Sequence, residues 1–190
     1  MAKLYFYYSA MNAGKSTALL QSRHNCQERG MQTLQLSPEI DQCAGAHKIA
    51  SRIGLTADAI IFKPDEHLFS MACAAHEKEP IARMLIDEAQ FLNRPQVEQL
   101  SQVCDEIGIA VLCYCLRTDF QGNLFTGNSA RLGWADNLIE LKTICHCGLK
   151  ATMNLPQVPD GKAIKQGEQV EIGGYERYIA MRRKHLREAM

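Results

Sequence analysis

The stretch that decides the fold is "SAMNAGKST", Ser9 to Thr17, which follows the apolar run "LYFYY". Its ending, Gly14, Lys15 and Ser16, matches the end of the phosphate-binding pattern G-x-x-x-x-G-K-[ST]. In that pattern backbone N–H groups bind phosphate oxygens, the lysine reaches the β and γ phosphates, and the hydroxyl binds Mg²⁺. Ser9 replaces the first glycine, which is tolerated where that residue needs no positive φ. A strand before the loop and a helical pattern after it favour a phosphate-binding loop.

A second motif, "MLIDEAQF", Met84 to Phe91, is an apolar strand that ends in two acids. Such a strand is the usual magnesium-side partner of a phosphate loop, with Asp87 holding Mg²⁺. Glu88 would then lie near the γ phosphate, where a carboxylate can take a proton from the attacking nucleophile. If that nucleophile is water the protein is an ATPase, and if it is a substrate hydroxyl the protein is a kinase. These residues leave both alternatives open.

The wider pattern alternates apolar strands with helical segments, which predicts an α/β fold with a mostly parallel sheet covered on both faces. Residues 38–55 are polar and punctuated by glycine, and they predict a mobile loop. From position 145 the chain becomes turn-rich, and "ERYIAMRRKHLREAM" predicts a closing helix. We therefore expect an α/β core over residues 1–144 and a small lobe over residues 145–190.

Composition excludes several classes of protein. The 190 residues carry 21 basic and 21 acidic side chains, so no global positive field favours nucleic acid. The basic run "RRKHLRE" is the kind of sequence that forms a solvated helix face. No segment is long enough to span a bilayer, and the N-terminal apolar run is too short for a signal peptide. We expect a cytoplasmic protein whose eight cysteines are reduced, with Cys113 and Cys115 on one face of a strand.

Five motifs together resemble a known family. "YYSAMNAGKST", "DEAQFL", "LRTDFQGNLF", "ELKTICHCG" and "IGGYERY" occur in this order in type II thymidine kinases of the enterobacterial form, where serine also begins the loop. The resemblance implies a P-loop NTPase-like (RecA-like) core with a zinc-ribbon-like lasso lobe at its C-terminal end. It also implies transfer of the γ phosphate of ATP, with Mg²⁺, to the 5′-hydroxyl of thymidine or deoxyuridine. The family is typically homotetrameric and is inhibited by thymidine triphosphate.

The resemblance assigns roles to individual residues. It makes Glu88 the catalytic base. The residues implied to bind ATP are Ser9, Ala10, Met11, Asn12, Ala13, Gly14, Lys15, Ser16, Asp87 and Gln90. The residues implied to bind thymidine are Met11, Phe91, Leu116, Phe120, Val170, Ile172, Gly173 and Tyr178, with the segment 170–173 forming a loop whose backbone reads the pyrimidine.

The chain departs from the family at its zinc site. Cys145, Cys147 and His185 match three ligands of a structural zinc, but the fourth, a cysteine in the family, is Arg182 here. Arginine stays protonated and cannot bind zinc, whereas structural sites use four protein ligands. Zinc remains possible with water or His146 in the fourth position, and we expect its binding to be weaker than in relatives with all four ligands.

A second departure lies in the segment "PEIDQCAGAHK". The family tends to carry an arginine there, near the phosphates, and this chain has Cys43. A thiol cannot stabilise developing phosphoryl charge as an arginine does. Lys48 and Arg52 are candidates to compensate.

Two other functions stay open at this point. One is a P-loop ATPase that acts as a motor or regulatory switch, which would hydrolyse ATP without a nucleoside. The other is a degenerate relative that binds nucleotide without catalysis, which the two departures suggest.

Overall fold

The computed structural model describes residues 1–41, 47–156 and 178–190. Twelve strands are present in these ranges: β1 Leu4–Ser9, β2 Gln32–Pro38, β3 Lys48–Ala50, β4 Thr56–Asp58, β5 Ile60–Phe62, β6 Ile81–Ile86, β7 Ala110–Leu116, β8 Asn137–Glu140, β9 Thr143–Ile144, β10 Lys150–Ala151, β11 Met153–Pro156 and β12 Tyr178–Met181. Five α-helices accompany them: α1 Lys15–Gln27, α2 Leu68–Lys78, α3 Arg94–Gln102, α4 Thr126–Trp134 and α5 Arg183–Ala189. The predicted α/β class is confirmed.

The central sheet has six strands in the order β5-β2-β6-β7-β1-β8, and every neighbouring pair in it is parallel. The register places Ser9 beside Leu116 and Ile86 beside Cys113. Parallel strands end at the same edge of a sheet, and ligands of such sheets bind outside that edge. The residues that follow β1, β6 and β7 are therefore neighbours in space.

Both faces of the sheet are covered. Residues of β7 alternate between two apolar clusters, with Cys113 and Cys115 in one cluster and Leu112 and Tyr114 in the other. A side-chain period of two sends consecutive strand residues to opposite faces, so each face of β7 is buried by a different layer. The prediction that the two cysteines share a face is confirmed.

The C-terminal part of the described chain forms two small antiparallel pairs, β9 with β10 and β11 with β12. They enclose a third apolar cluster, which includes Leu155 and Leu186 and also Ala10 from the loop after β1. The predicted closing helix is wrong in its first half. Residues 178–181 form β12, and helix α5 begins only at Arg183, because pairing with β11 satisfies the backbone of this segment as a strand.

Two other predictions need correction. Part of the predicted loop at 38–55 is a hairpin, since β3 pairs antiparallel with β4. The run "ADAIIFKP", residues 57–64, has the composition of a single strand, but it contains the end of β4 and all of β5, and only β5 joins the central sheet. No sequence pattern drew attention to α4. Among the described residues no helix combines the length and the apolar character needed to cross a membrane.

Candidate active site

The loop between β1 and α1 has the backbone shape of an anion-binding turn. Asn12 and Gly14 have positive φ angles of 61° and 77°, and Gly14 directly precedes the first turn of α1. Ser9 is not among the residues with positive φ, which explains why serine is accepted at that position. Lys15 is only 8% exposed, so its ammonium is held close to the protein. The loop thus combines a helix N-terminus with a buried lysine.

The acids that follow β6 face the same place. Asp87 and Glu88 are 4% and 7% exposed, and they line one open cleft of about 930 Å³ together with Lys15 and Ser16. The Asp87 N–H donates to the carbonyl of Leu36 at 3.0 Å, which extends the pairing of β6 with β2 by one residue. Glu88 has a φ of 44°, a conformation that is strained for a residue with a side chain. Two sequence motifs 70 residues apart therefore meet at the edge of the sheet.

Burial perturbs both carboxyl groups. Burial and the adjacent Glu88 raise the pKa of Asp87 to about 7, against the opposing effect of a hydrogen bond with Ser16 and the charge of Lys15. Burial also raises the pKa of Glu88, and the charge of Asp41 adds to that, whereas Lys15 and Gln90 lower it. One lysine does not fully compensate two buried carboxylates. A further cation bound at this site would therefore stabilise the ionised carboxylates of Asp87 and Glu88.

Gln90 connects Glu88 to the neighbouring strand. Its side-chain nitrogen donates to a Glu88 carboxylate oxygen, and its side-chain oxygen accepts the N–H of Leu116 at 3.1 Å. Gln90 is 4% exposed. The resemblance implied an ATP-binding role for Gln90, yet both polar ends of its side chain bind protein groups.

The residues implied to contact the nucleoside are only partly brought together. Met11 and Leu116 line the same cleft as Lys15, whereas Phe91, Phe120 and Tyr178 are not among its lining residues. Phe120 is 4% exposed, and the ring of Phe91 meets that of Phe125 edge-on at 6.5 Å. The remaining three, Val170, Ile172 and Gly173, lie outside the described residues.

The hairpin of β3 and β4 supplies further cleft residues. Lys48 and Arg52, the two candidates to compensate for Cys43, both line the cleft. Cys43 itself lies outside the described residues. The structure therefore places two basic residues in the cleft of Asp87 and Glu88 that the loop motif alone did not predict.

Asn154 is a residue of this region that sequence analysis missed. It is 3% exposed, and its side-chain oxygen accepts the N–H of Met11 at 2.7 Å. Its side-chain nitrogen donates to the carbonyl of Thr118 at 3.4 Å. An asparagine within the apolar run "TMNLP" is the signal that could have indicated a buried polar contact, because an amide is rarely buried without partners.

A separate cluster lies in the C-terminal part. One donor atom each from Cys145, His146 and His185 lies within 4.8 Å of the others. The Cys145 sulfur is 3.2 Å from Nδ1 of His185 and 3.6 Å from Nδ1 of His146, and the two imidazole rings stack at 4.4 Å. Cys147 is exposed and is not part of this group of three. His146 is thus the third residue that the structure groups with Cys145 and His185, while the Cys147 side chain interacts with the Cys145 thiol.

Backbone groups also surround the Cys145 thiol. Burial opposes its ionisation, but hydrogen bonds from the N–H groups of Cys147 and Arg182 and from the His185 side chain outweigh that effect and lower its pKa to about 6. Arg182 therefore serves this cluster through its backbone. A thiol that ionises readily, next to two imidazoles, is the donor set that Zn²⁺ prefers.

Comparison with known proteins gives a consistent result. A family model described as thymidine kinase matches residues 2–186. The thymidine kinase of Rhodopirellula baltica is 57% identical over 190 residues, 100% of this chain and 90% of that protein. The thymidine kinase of Shewanella oneidensis is 55% identical over 188 residues, 99% of this chain and 98% of that protein. The thymidine kinase of Escherichia coli strain K12 is 56% identical over 190 residues, 100% of this chain and 93% of that protein.

Proposed function

This chain belongs to the thymidine kinase family, and we propose that it is a phosphotransferase that moves the γ-phosphoryl group of ATP to the 5′-hydroxyl of thymidine, with deoxyuridine as a second acceptor. The products are ADP and thymidine monophosphate. Thymidine monophosphate serves the salvage of nucleotides for DNA synthesis. The observation that carries the proposal is the convergence of Lys15, Asp87 and Glu88 on one cleft in a chain that the family matches almost from end to end.

The loop Ser9–Ser16 is, on this proposal, the phosphate-binding loop of a P-loop NTPase-like (RecA-like) core. Its backbone N–H groups at the start of α1 bind the ATP phosphates, and Lys15 neutralises the β and γ phosphates. Gln90 binds Glu88 and Leu116 with its amide, and its second N–H is left for the ATP phosphates.

Magnesium fits the residues present. The Asp87 carboxylate and the Ser16 hydroxyl already interact, and both are hard oxygen donors of the kind that Mg²⁺ binds. When bound, Mg²⁺ would supply positive charge that balances the phosphates. The same charge would favour the ionised form of Asp87, whose pKa burial otherwise raises to about 7.

Glu88 acts as the general base. Its carboxylate takes the proton of the 5′-hydroxyl while the hydroxyl oxygen forms a bond to the γ phosphorus. The bond between that phosphorus and the bridging oxygen breaks, and its electron pair leaves on ADP. A raised pKa suits this role because it makes the carboxylate a stronger base, provided that the site keeps Glu88 ionised before transfer. Lys15 and Gln90 both act in that direction.

The test is an assay of ADP production with thymidine, deoxyuridine, deoxycytidine or no acceptor. We expect ADP with the first two and little with deoxycytidine or without acceptor. ADP produced at the same rate without any nucleoside would replace the proposal with a P-loop ATPase. Nucleotide binding without ADP production under any condition would identify a degenerate relative.

Zinc is a second part of the proposal. Cys145, Cys147 and His185 would hold a structural Zn²⁺, and His146 takes the position that the family gives to a cysteine where this chain has Arg182. The support is the cluster of three donor atoms within 4.8 Å. Zinc there would cross-link the end of β9 to α5 and so stabilise the small lobe over residues 145–190.

The setting of the enzyme completes the proposal. We place it in the cytoplasm as a homotetramer that thymidine triphosphate inhibits, with no nucleic acid or membrane partner. Gel filtration with light scattering tests the tetramer, and titration of thymidine triphosphate into the kinase assay tests the inhibition.

A further inference from the structure

A buried polar network runs from α4 to Glu88, and none of the motifs predicted it. It begins at Arg131, which is 1% exposed although it carries a cation. The guanidinium lies 5.6 Å from the centre of the Phe6 ring and beside the thiols of Cys113 and Cys115. Among the described residues no carboxylate lies within salt-bridge distance of it. Burying an unpaired charge is costly, so its retention calls for an explanation.

Nη2 of Arg131 donates a hydrogen bond to the side-chain oxygen of Asn128. Nε and Nη1 of Arg131 have no hydrogen-bond partner. Burial lowers the pKa of Arg131, whereas the nearby thiols of Cys115 and Cys113 oppose that effect. The arrangement fixes the Asn128 amide in one orientation, with its nitrogen pointing away from Arg131.

Asn128 uses that nitrogen to hold the end of β7. The amide donates to the carbonyl of Leu116 and to the carbonyl of Arg117, both at 2.9 Å. Asn128 is 0% exposed, and its backbone N–H donates to the carbonyl of Phe125 at 2.9 Å. Every polar atom of the side chain is therefore used, and it binds the carbonyl of Leu116, which lines the cleft, and that of the next residue, Arg117.

The backbone N–H of Leu116 is connected to Glu88 through Gln90. This N–H donates to Gln90, and Gln90 donates to the Glu88 carboxylate. Leu116 is consequently held at its N–H by Gln90 and at its carbonyl by Asn128. The three side chains of this path to Glu88, those of Arg131, Asn128 and Gln90, are each 4% exposed or less.

Close packing fixes α4 against the segment that follows Glu88. A Cβ added at Gly127 would lie 2.0 Å from the Leu92 carbonyl oxygen and 2.9 Å from Nη1 of Arg131. Helix α4 thus contacts Leu92, the residue after "DEAQF", through Gly127 and the end of β7 through Asn128. The helix joins the two elements that carry Glu88 and Leu116.

We infer that Asn128, oriented by the buried Arg131, is a positioning residue for phosphoryl transfer. It fixes the cleft edge at Leu116 and Arg117 and, through Leu116 and Gln90, the direction of the Glu88 carboxylate. This inference rests on the proposed function, because it assigns Glu88 the role of base. Asn128 acts on the reaction through these residues and does not touch the reacting atoms.

Two variants test the inference. In Asn128→Asp the retained oxygens keep the contact with Arg131 and form an ion pair, but no N–H remains for the two carbonyls. In Arg131→Met a side chain of similar volume removes the buried charge, which is often neutral or stabilising, but frees the Asn128 amide to turn. We expect Arg131→Met to unfold within a few degrees of the wild type. We expect Asn128→Asp to unfold at a lower temperature, because two buried carbonyls lose their donor. We expect kcat/KM for thymidine to fall about tenfold or more in each.

The pH profile separates positioning from a general structural role. The charged groups that act on Glu88 or line its cleft are Lys15, Asp41, Lys48, Arg52 and Asp87, and the titratable Cys115 thiol also interacts with it. Both variants leave all six unchanged. Loosening Gln90 removes a hydrogen bond that favours the ionised form of Glu88, so the acidic limb of kcat/KM moves to higher pH. A purely structural loss would lower activity equally at every pH. The matched control is Ser129→Ala, an exposed neighbour on α4 that binds only the carbonyl of Thr126, and it should leave activity unchanged.

The possible results distinguish failure of the proposed function from failure of the inference about Asn128. A wild-type enzyme that does not phosphorylate thymidine would overturn the proposed function, whatever the variants do. With an active wild type, unchanged kcat/KM in Asn128→Asp and Arg131→Met would overturn the inference. A fall in kcat/KM with an unmoved pH profile would also count against it, since the link to Glu88 would be absent. If Asn128→Asp does not fold, Arg131→Met decides alone.

Discussion

The side-chain oxygen of Asn154 accepts the backbone N–H of Met11 at 2.7 Å, across 143 positions of sequence. Met11 belongs to the loop that precedes α1, and Asn154 belongs to β11 in the C-terminal part of the chain. The loop is therefore held on one side by its own helix and on the other by a strand that follows the rest of the core. Its conformation depends on the C-terminal part as well as on the G-K-S motif.

Replacing Asn154 by leucine should weaken the loop. Asn154→Leu leaves the buried Met11 N–H without an acceptor, which costs about 1–3 kcal/mol. We expect a lower free energy of unfolding in urea and a weaker affinity for ATP, measured by calorimetry. Asn25→Leu is the control, because Asn25 is exposed on α1 and bonds only to Gln21. Equal stability and ATP affinity in Asn154→Leu and the wild type would show that the contact is dispensable.

Replacing Glu88 by glutamine should abolish turnover and spare ATP binding. Glu88→Gln keeps the size of the side chain and removes the proton acceptor, so kcat with thymidine should fall by roughly 10²–10⁴. ATP affinity should change little, because Lys15 and the loop backbone provide the phosphate contacts. Calorimetry with ATP and an ADP-release assay measure the two quantities. Turnover close to the wild-type rate would reject Glu88 as the base.

The sequence predicted those parts of the site that depend on neighbouring residues. Lys15 follows the short loop after β1, and Glu88 lies two residues after the end of β6. Parallel strands end at one edge of the sheet, so the meeting of these two residues followed from local pattern. Asn128 and Asn154 could not be found in this way, since their partners lie far along the chain. The run around Asn154 could indicate a buried polar contact, but only the fold shows which carbonyl or N–H an asparagine meets.

The same distinction explains the wrong prediction at the C-terminal end. The run from Tyr178 to Met181 is compatible with a helix by local propensity, but the structure pairs it with Met153–Pro156 as an antiparallel strand. Strand formation depends more on a partner than on the residues themselves. The helix at Arg183–Ala189 needs no such partner to be recognised, and it was predicted correctly.

The buried carboxyl of Asp87 should make the ligand-free protein less stable as the pH rises. The pKa of Asp87 is about 7 in the folded protein, whereas an aspartate in an unfolded chain has a pKa of 3.8. Between pH 3.8 and pH 7 the unfolded chain therefore loses this proton while the folded protein keeps it. Asp87→Asn removes this penalty. We expect the variant to match the wild type near pH 4 and to exceed it at pH 8, by on the order of 2–4 kcal/mol.

Urea denaturation without Mg²⁺ or nucleotide, at pH 4.5, 6 and 8, measures this effect. Asp65→Asn is the control, because Asp65 is exposed and lies outside the cleft. A stability difference between Asp87→Asn and the wild type that stays constant over this pH range would contradict the prediction. Added Mg²⁺ and ATP should reduce the difference at pH 8, since they favour the ionised carboxylate of the wild type.

Arg182 offers the sharpest test of the C-terminal cluster. Arg182→Cys restores the missing ligand, a third thiolate, at the position where the family has one, and it should raise zinc affinity above that of the wild type. His146→Phe keeps an aromatic ring to stack on His185 but removes a donor atom, so it should lower the affinity further. We expect the zinc content per chain, measured after dialysis against a mild chelator, to decrease in the order Arg182→Cys, wild type, His146→Phe. His24→Phe, at an exposed position of α1, should match the wild type. Full zinc retention by the wild type would contradict the predicted weakening, and equal retention by His146→Phe would exclude His146 as a ligand.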